Sequence, residues 1–281
     1  MLVTVVSAGA SRGVTATSVA LAARWPRPVV LVEADPTGGS GILAGFFRGQ
    51  EDPAGLIDLV IAQRSDVLAE VLPRLLLPIE GTHASVLVGT RSHEQASGLA
   101  QLWAPLLEAL RGLEPTGVDV LVDGGRLGLH GWPRPLVVGS DVTLLLLGSD
   151  LPALAAARSW SEALSGEDTP AHATRLLLVG EGRPYSAREV SRTLGVPVLG
   201  SIAWDPERAA VYSHGRTPPT PAWWRGIGRG KHAATTALAS SAYIRSIDAT
   251  AGALRALQLV DPPSRLRMVL ARAGTFVEGG L

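Results

Sequence analysis

The 281-residue chain contains no cysteine, and of its 25 basic residues only Lys231 is a lysine. The first absence excludes a disulfide scaffold, a thiolate metal site and a cysteine nucleophile. The second leaves one ammonium side chain for any chemistry that needs a compact positive charge, because arginine's planar fork does not substitute for it. Formal net charge is zero, which argues against a surface built to neutralise nucleic-acid phosphates, and no specific nucleic-acid partner is expected. No apolar run approaches the roughly 18 residues of a membrane span. The opening residues Met1-Leu2-Val3-Thr4-Val5-Val6 lack the basic region and cleavage site of a signal peptide, so a cytoplasmic protein is expected. The six histidines show no HxxxH or HxH spacing, which leaves a histidine metal site unsupported.

What is present is apolar: 46% of residues are hydrophobic, far too many for a disordered chain. Short runs alternate with longer helical patterns over about the first 215 residues. Strands are predicted at 2–7, 29–33, 84–89, 118–123, 142–148, 174–179 and 197–202. Most are continuously apolar, as in Val29-Val30-Leu31-Val32 and Leu144-Leu145-Leu146-Leu147, the pattern of strands covered by helices on both faces. Helices are predicted at 15–24, 54–62, 66–76, 93–111, 151–164 and 186–194. Start signals are Ser92, Asp150 with Pro152 in the first turn, and Ser186 with Glu189 as a capping box. Alternating strands and helices predict a doubly wound α/β fold, with a mostly parallel sheet of about seven strands.

Composition changes after residue 214. Segment 215–231 is rich in Pro, Gly, Arg and Trp and reads as a surface loop or linker, followed by a helical segment and tail over 232–281. The expected organisation is one α/β domain, 1–214, with the C-terminal segment packed on it. Gly226-Ile227-Gly228-Arg229-Gly230-Lys231 superficially resembles a phosphate loop, but it follows Trp223-Trp224 rather than a strand and has His232 where a hydroxyl is needed. That Trp pair and the basic-apolar stretch Leu266–Arg272 are candidates for a partner or membrane-surface contact. Trp25, Trp103, Trp132, Trp160 and Trp204 are scattered singly and read as packing residues.

In open parallel sheets, ligands bind beyond the carboxyl ends of the strands. There the first strand enters Ala8-Gly9-Ala10-Ser11-Arg12-Gly13-Val14-Thr15-Ala16-Thr17-Ser18, a small-residue turn leading to a helix, where backbone N–H groups and the helix N-terminus favour an anion. The second strand ends in Glu33-Ala34-Asp35 and the fourth in Asp123-Gly124-Gly125. Three acids at strand ends beside such a turn suit a Mg²⁺–phosphate site.

With these motifs in this order, residues 1–215 resemble the ParA/MinD group of P-loop ATPases. "VVLVEADPTGG" resembles the family's second acidic motif, with Glu33 in place of its first Asp and Asp35 as its second. "VDVLVDGG" resembles its Walker B strand, with Asp123 as the acid, and "GVPVLGSIAWDPERAAVYSHGRTP" is similar to its late strand–loop–helix segment. "GLIDLVIAQRSDVLAEVL", "SVLVGTRSHEQASGL" and "SDLPALAAARSWSEAL" resemble the pilus-assembly and septum-site branch (CpaE/TadZ-like).

The departure lies in the phosphate loop. One register sets Gly13 on a loop glycine, Ala16 on the Walker lysine, Thr17 on the Mg²⁺-binding hydroxyl and Ser11 on the family's signature lysine. Shifting by two puts Val14 and Gly9 on the lysine positions and Thr15 on the hydroxyl. Neither register restores an ammonium group, and Arg12 is the only cation in the loop. The adenine-reading Asn that the family places after the strand at 174–179 is also missing, leaving Arg183 as a group that could stack on a base. The resemblance therefore implies a degenerate MinD/ParA-like protein, a non-hydrolysing positioning or assembly factor for a pilus, secretion or division apparatus. It implies protein partners, a homodimer or a heterodimer with a related ATPase, and possible peripheral contact at the inner face of the membrane. If the nucleotide site is retained, ATP and Mg²⁺ are its cofactors. Ser11, Arg12, Gly13, Thr15, Thr17, Ser18 and Arg183 would then hold nucleotide, and Thr17, Asp35 and Asp123 the metal. An active ATPase with an unusual loop, using Glu33, Asp35 and Asp123 catalytically, and a sensor that binds without turnover are the alternatives.

Overall fold

A computed structural model of the chain describes residues 1–9, 13–49, 54–65, 67–164, 174–219 and 230–260. Among these, eight strands form one sheet in the order β3-β4-β2-β5-β1-β6-β7-β8. They are β1 (Leu2–Ser7), β2 (Val29–Glu33), β3 (Leu77–Pro78), β4 (Ala84–Leu87), β5 (Asp119–Arg126), β6 (Val142–Gly148), β7 (Thr174–Val179) and β8 (Val198–Ile202). All neighbouring pairs are parallel except β3 with β4. The seven predicted strands are present. The eighth, β3, has two residues including a proline and lies at the sheet edge, where a missing N–H is tolerated; its propensity signal is negligible.

The helices are α1 (Val14–Arg24), α2 (Leu56–Arg64), α3 (Leu68–Val71), α4 (His93–Ser97), α5 (Trp103–Arg111), α6 (Arg134–Val138), α7 (Leu151–Ala163), α8 (Ala187–Leu194), α9 (Pro206–Ser213), α10 (Gly230–Ala239) and α11 (Ala242–Val260). The three start signals act as caps. Ser92 accepts from the Gln95 amide, Asp150 from Ala153, and Ser186 and Glu189 form the reciprocal box. Three long predictions are broken up. Pro73 turns the end of 66–76 into a 3₁₀ segment, Leu72–Leu75, and 93–111 is interrupted by another at Gly98–Gln101. Ser240 and Ser241 separate α10 from α11, and the Ser241 hydroxyl accepts from the Ile244 amide.

Both sheet faces are covered, which explains the unbroken apolar runs: every residue of β1, β2 and β6 is buried. One cluster joins α1 and α11 to the sheet through Leu21, Leu31, Leu144, Ile244, Ile247 and Leu254. The opposite face is built on Leu59, Leu87, Trp103, Leu106 and Leu136, and a third cluster under α7 and α8 on Leu145, Leu176 and Val190. The residues of α11 thus complete the same core as β1. Trp223, Trp224 and the stretch 266–272 lie outside the described residues. Among the described residues, no helix is long and apolar enough to cross a membrane.

At the amino edge of the sheet, Asp119 is 1% exposed and accepts three charged or polar donors. These are the Met1 amino group at 3.0 Å, Trp25 Nε1 at 2.9 Å and Arg27 Nη2 at 2.7 Å. Removing one partner of a buried ionic set leaves the others uncompensated. Asp119→Ala is therefore expected to cost about 3 kcal/mol or more, read as a lower urea midpoint at pH 7 with an unchanged slope.

Candidate functional site

β1 lies in the middle of the sheet, between β5 and β6. The chain runs from it towards β2 on one side and later returns to build β6, β7 and β8 on the other, so the crevice at its carboxyl end is the topological switch point. The helix following this strand begins at Val14, and Gly13 before it has φ 90° and ψ 40°. That left-handed conformation is open to glycine at little cost. It bears on the two loop registers. In the first, the glycine preceding the lysine position becomes Thr15, already inside α1; in the second it is Gly13, and Val14 follows at the lysine position. The backbone agrees with the second. Val14 is 2% exposed and belongs to the core cluster with Val5 and Leu21. Gly9, at the other lysine position, lies against Ala156, whose Cβ would be 3.3 Å from a Cβ at Gly9. Ser11 and Arg12 lie outside the described residues.

The three acids converge because of strand register. β5 pairs with both β1 and β2, setting Asp123 level with Val5 on one side and with Glu33 on the other. Asp35 follows two residues after Glu33 and rests on Gly125, whose φ is +61° and whose missing Cβ would lie 2.4 Å from the Asp35 carboxyl carbon. No larger residue fits there without moving the carboxylate.

Their environments differ. Glu33 is 3% exposed and fully engaged, accepting from the Ser40 hydroxyl and from the Ile42 and Gly89 amides, both at 2.9 Å. Burial pushes its pKa up against those donors, with Asp35 adding to the rise. Asp35 is half-buried and accepts from the Thr37 amide and hydroxyl at 2.9 and 2.8 Å. Asp123 is completely buried; Oδ1 accepts from the Gly125 amide at 3.1 Å, while Oδ2 has no hydrogen-bond partner of normal geometry. Desolvation lifts its pKa to about 7, opposed by the Thr15 hydroxyl and reinforced by Asp35 and Glu33.

Beside this cluster lies a cavity of about 380 Å³, within the usual size range of small-molecule sites. Gly13, Thr15, Ala16 and Thr17 form its wall at the turn; Ile202, Ala203, Trp204 and Pro206 line it from the β8–α9 connection, and Tyr243 from α11. Gly13, Thr15 and Thr17 are thus brought together at one cavity, next to the acids. Two other predicted site residues are not. Ser18 is fully buried with an unpaired hydroxyl, and it does not line the cavity. Arg183 is exposed, lies over the Trp204 ring at 5.9 Å, and is not part of the lining either. Trp204, expected as a packing residue, is 47% exposed at the cavity; its place just past a strand's carboxyl end was the available signal. Tyr243 was not foreseen, because it lies more than 200 residues along the chain from the turn. No described lining residue is Lys or Arg, and the chain contains no asparagine.

A hard cation takes oxygen ligands, and the groups present are oxygens: the unpaired Asp123 Oδ2, Asp35 and the Thr15 and Thr17 hydroxyls. They fit a hydrated Mg²⁺ that keeps water and phosphate ligands. Among the described residues, no three acidic or histidine side chains are close enough to hold a metal by themselves.

The fold and the switch-point cavity define a doubly wound α/β protein with a mostly parallel sheet. Structure comparison narrows this to the MinD/ParA type. A ParA-family ATPase from Chlorobium tepidum matches with a TM-score of 0.66 at 14% identity, over 89% of this chain and 98% of that one. The septum site-determining protein MinD of Pyrococcus horikoshii, complexed with Mg-ADP, matches at 0.62 and 16%, over 89% and 94%. A chain of the MinC:MinD cell division protein complex of Aquifex aeolicus matches at 0.61 and 14%, over 91% and 96%. The chain therefore has the MinD/ParA P-loop ATPase fold. No protein-family model matches it, and no curated protein matches its sequence.

A carboxyl group whose pKa is about 7 in the folded protein and 3.8 as a free side chain makes the native state the stronger proton binder between those values. Its contribution is favourable in acid and is lost as pH rises from about 4 to 7. Asp123→Asn should remove this dependence and raise stability at pH 8 by on the order of 2–4 kcal/mol, with little change at pH 4, read from urea midpoints of both proteins.

Proposed function

We propose that this chain is a MinD/ParA-like positioning or assembly factor that does not hydrolyse ATP and serves a pilus, secretion or cell-division apparatus through protein partners. The observation carrying this reading is Val14, buried in the core at the position that follows the turn glycine. Phosphoryl transfer is catalysed mainly by positive charge arranged around the transferring group. A buried valine supplies none, and the three acids alongside add negative potential. Loss of such a donor typically costs about 10²–10³ in rate.

Two exposed apolar side chains beyond strand carboxyl ends support a partner surface at that edge of the sheet. Leu151 at the start of α7 and Trp204 after β8 are 64% and 47% exposed, and large apolar side chains in such places favour protein contacts. A dimer, or a complex with a related ATPase, would use this edge.

A second reading, binding without turnover, is favoured by the cavity and by the unpaired Asp123 oxygen. In that case Thr15 or Thr17, with Asp35 and Asp123, would hold Mg²⁺, which would offset phosphate charge. Asp123 would take part as the ionised carboxylate, a form its buried setting disfavours.

Phosphate release from Mg-ATP separates hydrolysis from both readings. The expected result is release by the purified chain no faster than in buffer, and unchanged cellular distribution of a fluorescent fusion carrying Asp35→Ala or Asp123→Asn. Turnover that Asp123→Asn abolishes would sink the proposal.

A further inference from the structure

The helix α2 is apolar on both sides. Leu56 and Leu59, 1% and 0% exposed, bury one side in the cluster that holds Val30, Val32 and Leu87. At about 100° per residue, the other side carries Ile57, Val60, Ile61 and Arg64. Ile61 is 62% exposed, and Ile57 and Val60 are half-buried. The neighbouring elements do otherwise: α5, α7 and α8 turn Glu108, Arg158, Glu162, Arg188 and Arg192 outwards. A helix that is hydrophobic all round is normally covered all round.

This outer side is rigidly presented. The Leu56 amide donates to the Val88 carbonyl at 3.1 Å, and a Cβ at Gly55 would lie 2.7 Å from that same oxygen. Gln63 Nε2 donates to the Gln101 carbonyl at 3.3 Å. A partner would therefore meet a surface that needs little further ordering.

The placement of charge selects the partner. Asp58 stands three residues before Ile61 and Arg64 three residues after it. When two α2 helices pack antiparallel with Ile61 at the centre, Asp58 of each copy comes level with Arg64 of the other. One two-fold axis thus generates both ion pairs, as a self-complementary interface requires. Arg64 is exposed; Asp58 is half-buried, with Oδ2 accepting from the Gly55 amide at 2.8 Å. A net charge of zero adds no overall repulsion between copies. One nine-residue helix is too short to fill a standard interface of about 800 Å² per partner. Beside it, α3 and the turn after it add Val71, Leu75 and Leu76, half-buried on the same cluster.

We propose that the outer side of α2 is a self-association surface, on which a second copy of this chain packs antiparallel about a two-fold axis at Ile61. It is separate from the carboxyl edge of the sheet, where Leu151 and Trp204 are exposed, and independent of what the switch-point cavity holds.

Sedimentation of the full chain without nucleotide tests it. The chain should be dimeric at about 10–100 μM. Ile61→Lys should weaken association by at least about tenfold, and Arg64→Glu, which sets two acids level, should weaken it as well. In dilute solution Ile61→Lys should keep the wild-type urea midpoint, because the side chain it replaces is exposed in the monomer. The chain has no cysteine, so Ile61→Cys supplies a single thiol. Mild oxidation should join two copies through it, since a disulfide needs Cβ atoms about 4 Å apart and residues beside the axis meet that condition. A chain that stays monomeric at about 100 μM overturns the inference, whatever else then covers α2. So does a dimer indifferent to Ile61→Lys, or one that Leu151→Cys links and Ile61→Cys does not. That last result moves the contact to the carboxyl edge and leaves the proposed function standing. Phosphate release from Mg-ATP overturns that function and leaves this inference untouched.

Discussion

The pairing of β5 with β1 on one side and β2 on the other is the constraint from which the rest of the site follows. It sets Asp123 level with Glu33 inside the sheet and brings the ends of three separate strands to one crevice. Parallel strands covered on both faces cannot slip by a residue without turning apolar side chains away from their helices. The register is therefore held by the core, through residues such as Leu31, Leu121 and Leu144, and the acids inherit it.

Three carboxylates held so close need compensation, and each receives a different amount. Glu33 is saturated by a hydroxyl and two amides, Asp35 is only half-buried, and Asp123 has an oxygen with no hydrogen bond of normal geometry, eased only by the nearby Thr15 hydroxyl. That gradient separates structure from chemistry. Glu33 organises the β2–Ile42 connection and the approach of Gly89, so its role is to hold the chain path. Asp123 is the group whose state is undecided near neutrality, and its buried Oδ2 has no hydrogen bond of normal geometry.

The turn after β1 places this chemistry in a different light from its architecture. The described part of the turn has a left-handed glycine, a helix N-terminus and threonines on the first turn. The residue after the glycine is Val14, which contributes to the core, and on the function proposed it brings no charge to the turn. Fold and function are separable in this way because the core tolerates any apolar side chain of suitable size at Val14, while phosphate chemistry demands a particular charge.

The alternation of elements, the caps at Ser92, Asp150 and Ser186, and the three strand-end acids were legible in the chain because each depends on neighbours within a few residues. The missing ammonium groups were legible too, as composition. The loop register was not, because two alignments satisfy the same residues and what bears on the choice is the left-handed backbone at Gly13, a tertiary fact. Nor were the roles of Trp204 and Tyr243, or the stray position of Ser18, since a helix closing the fold more than 200 residues downstream completes the cavity wall. Local rules determined which elements form and where charge is scarce. Only the long-range packing of α11 against β8 and α1 decided which side chains face the same empty space, because burial and hydrogen-bond satisfaction depend on partners distant in sequence.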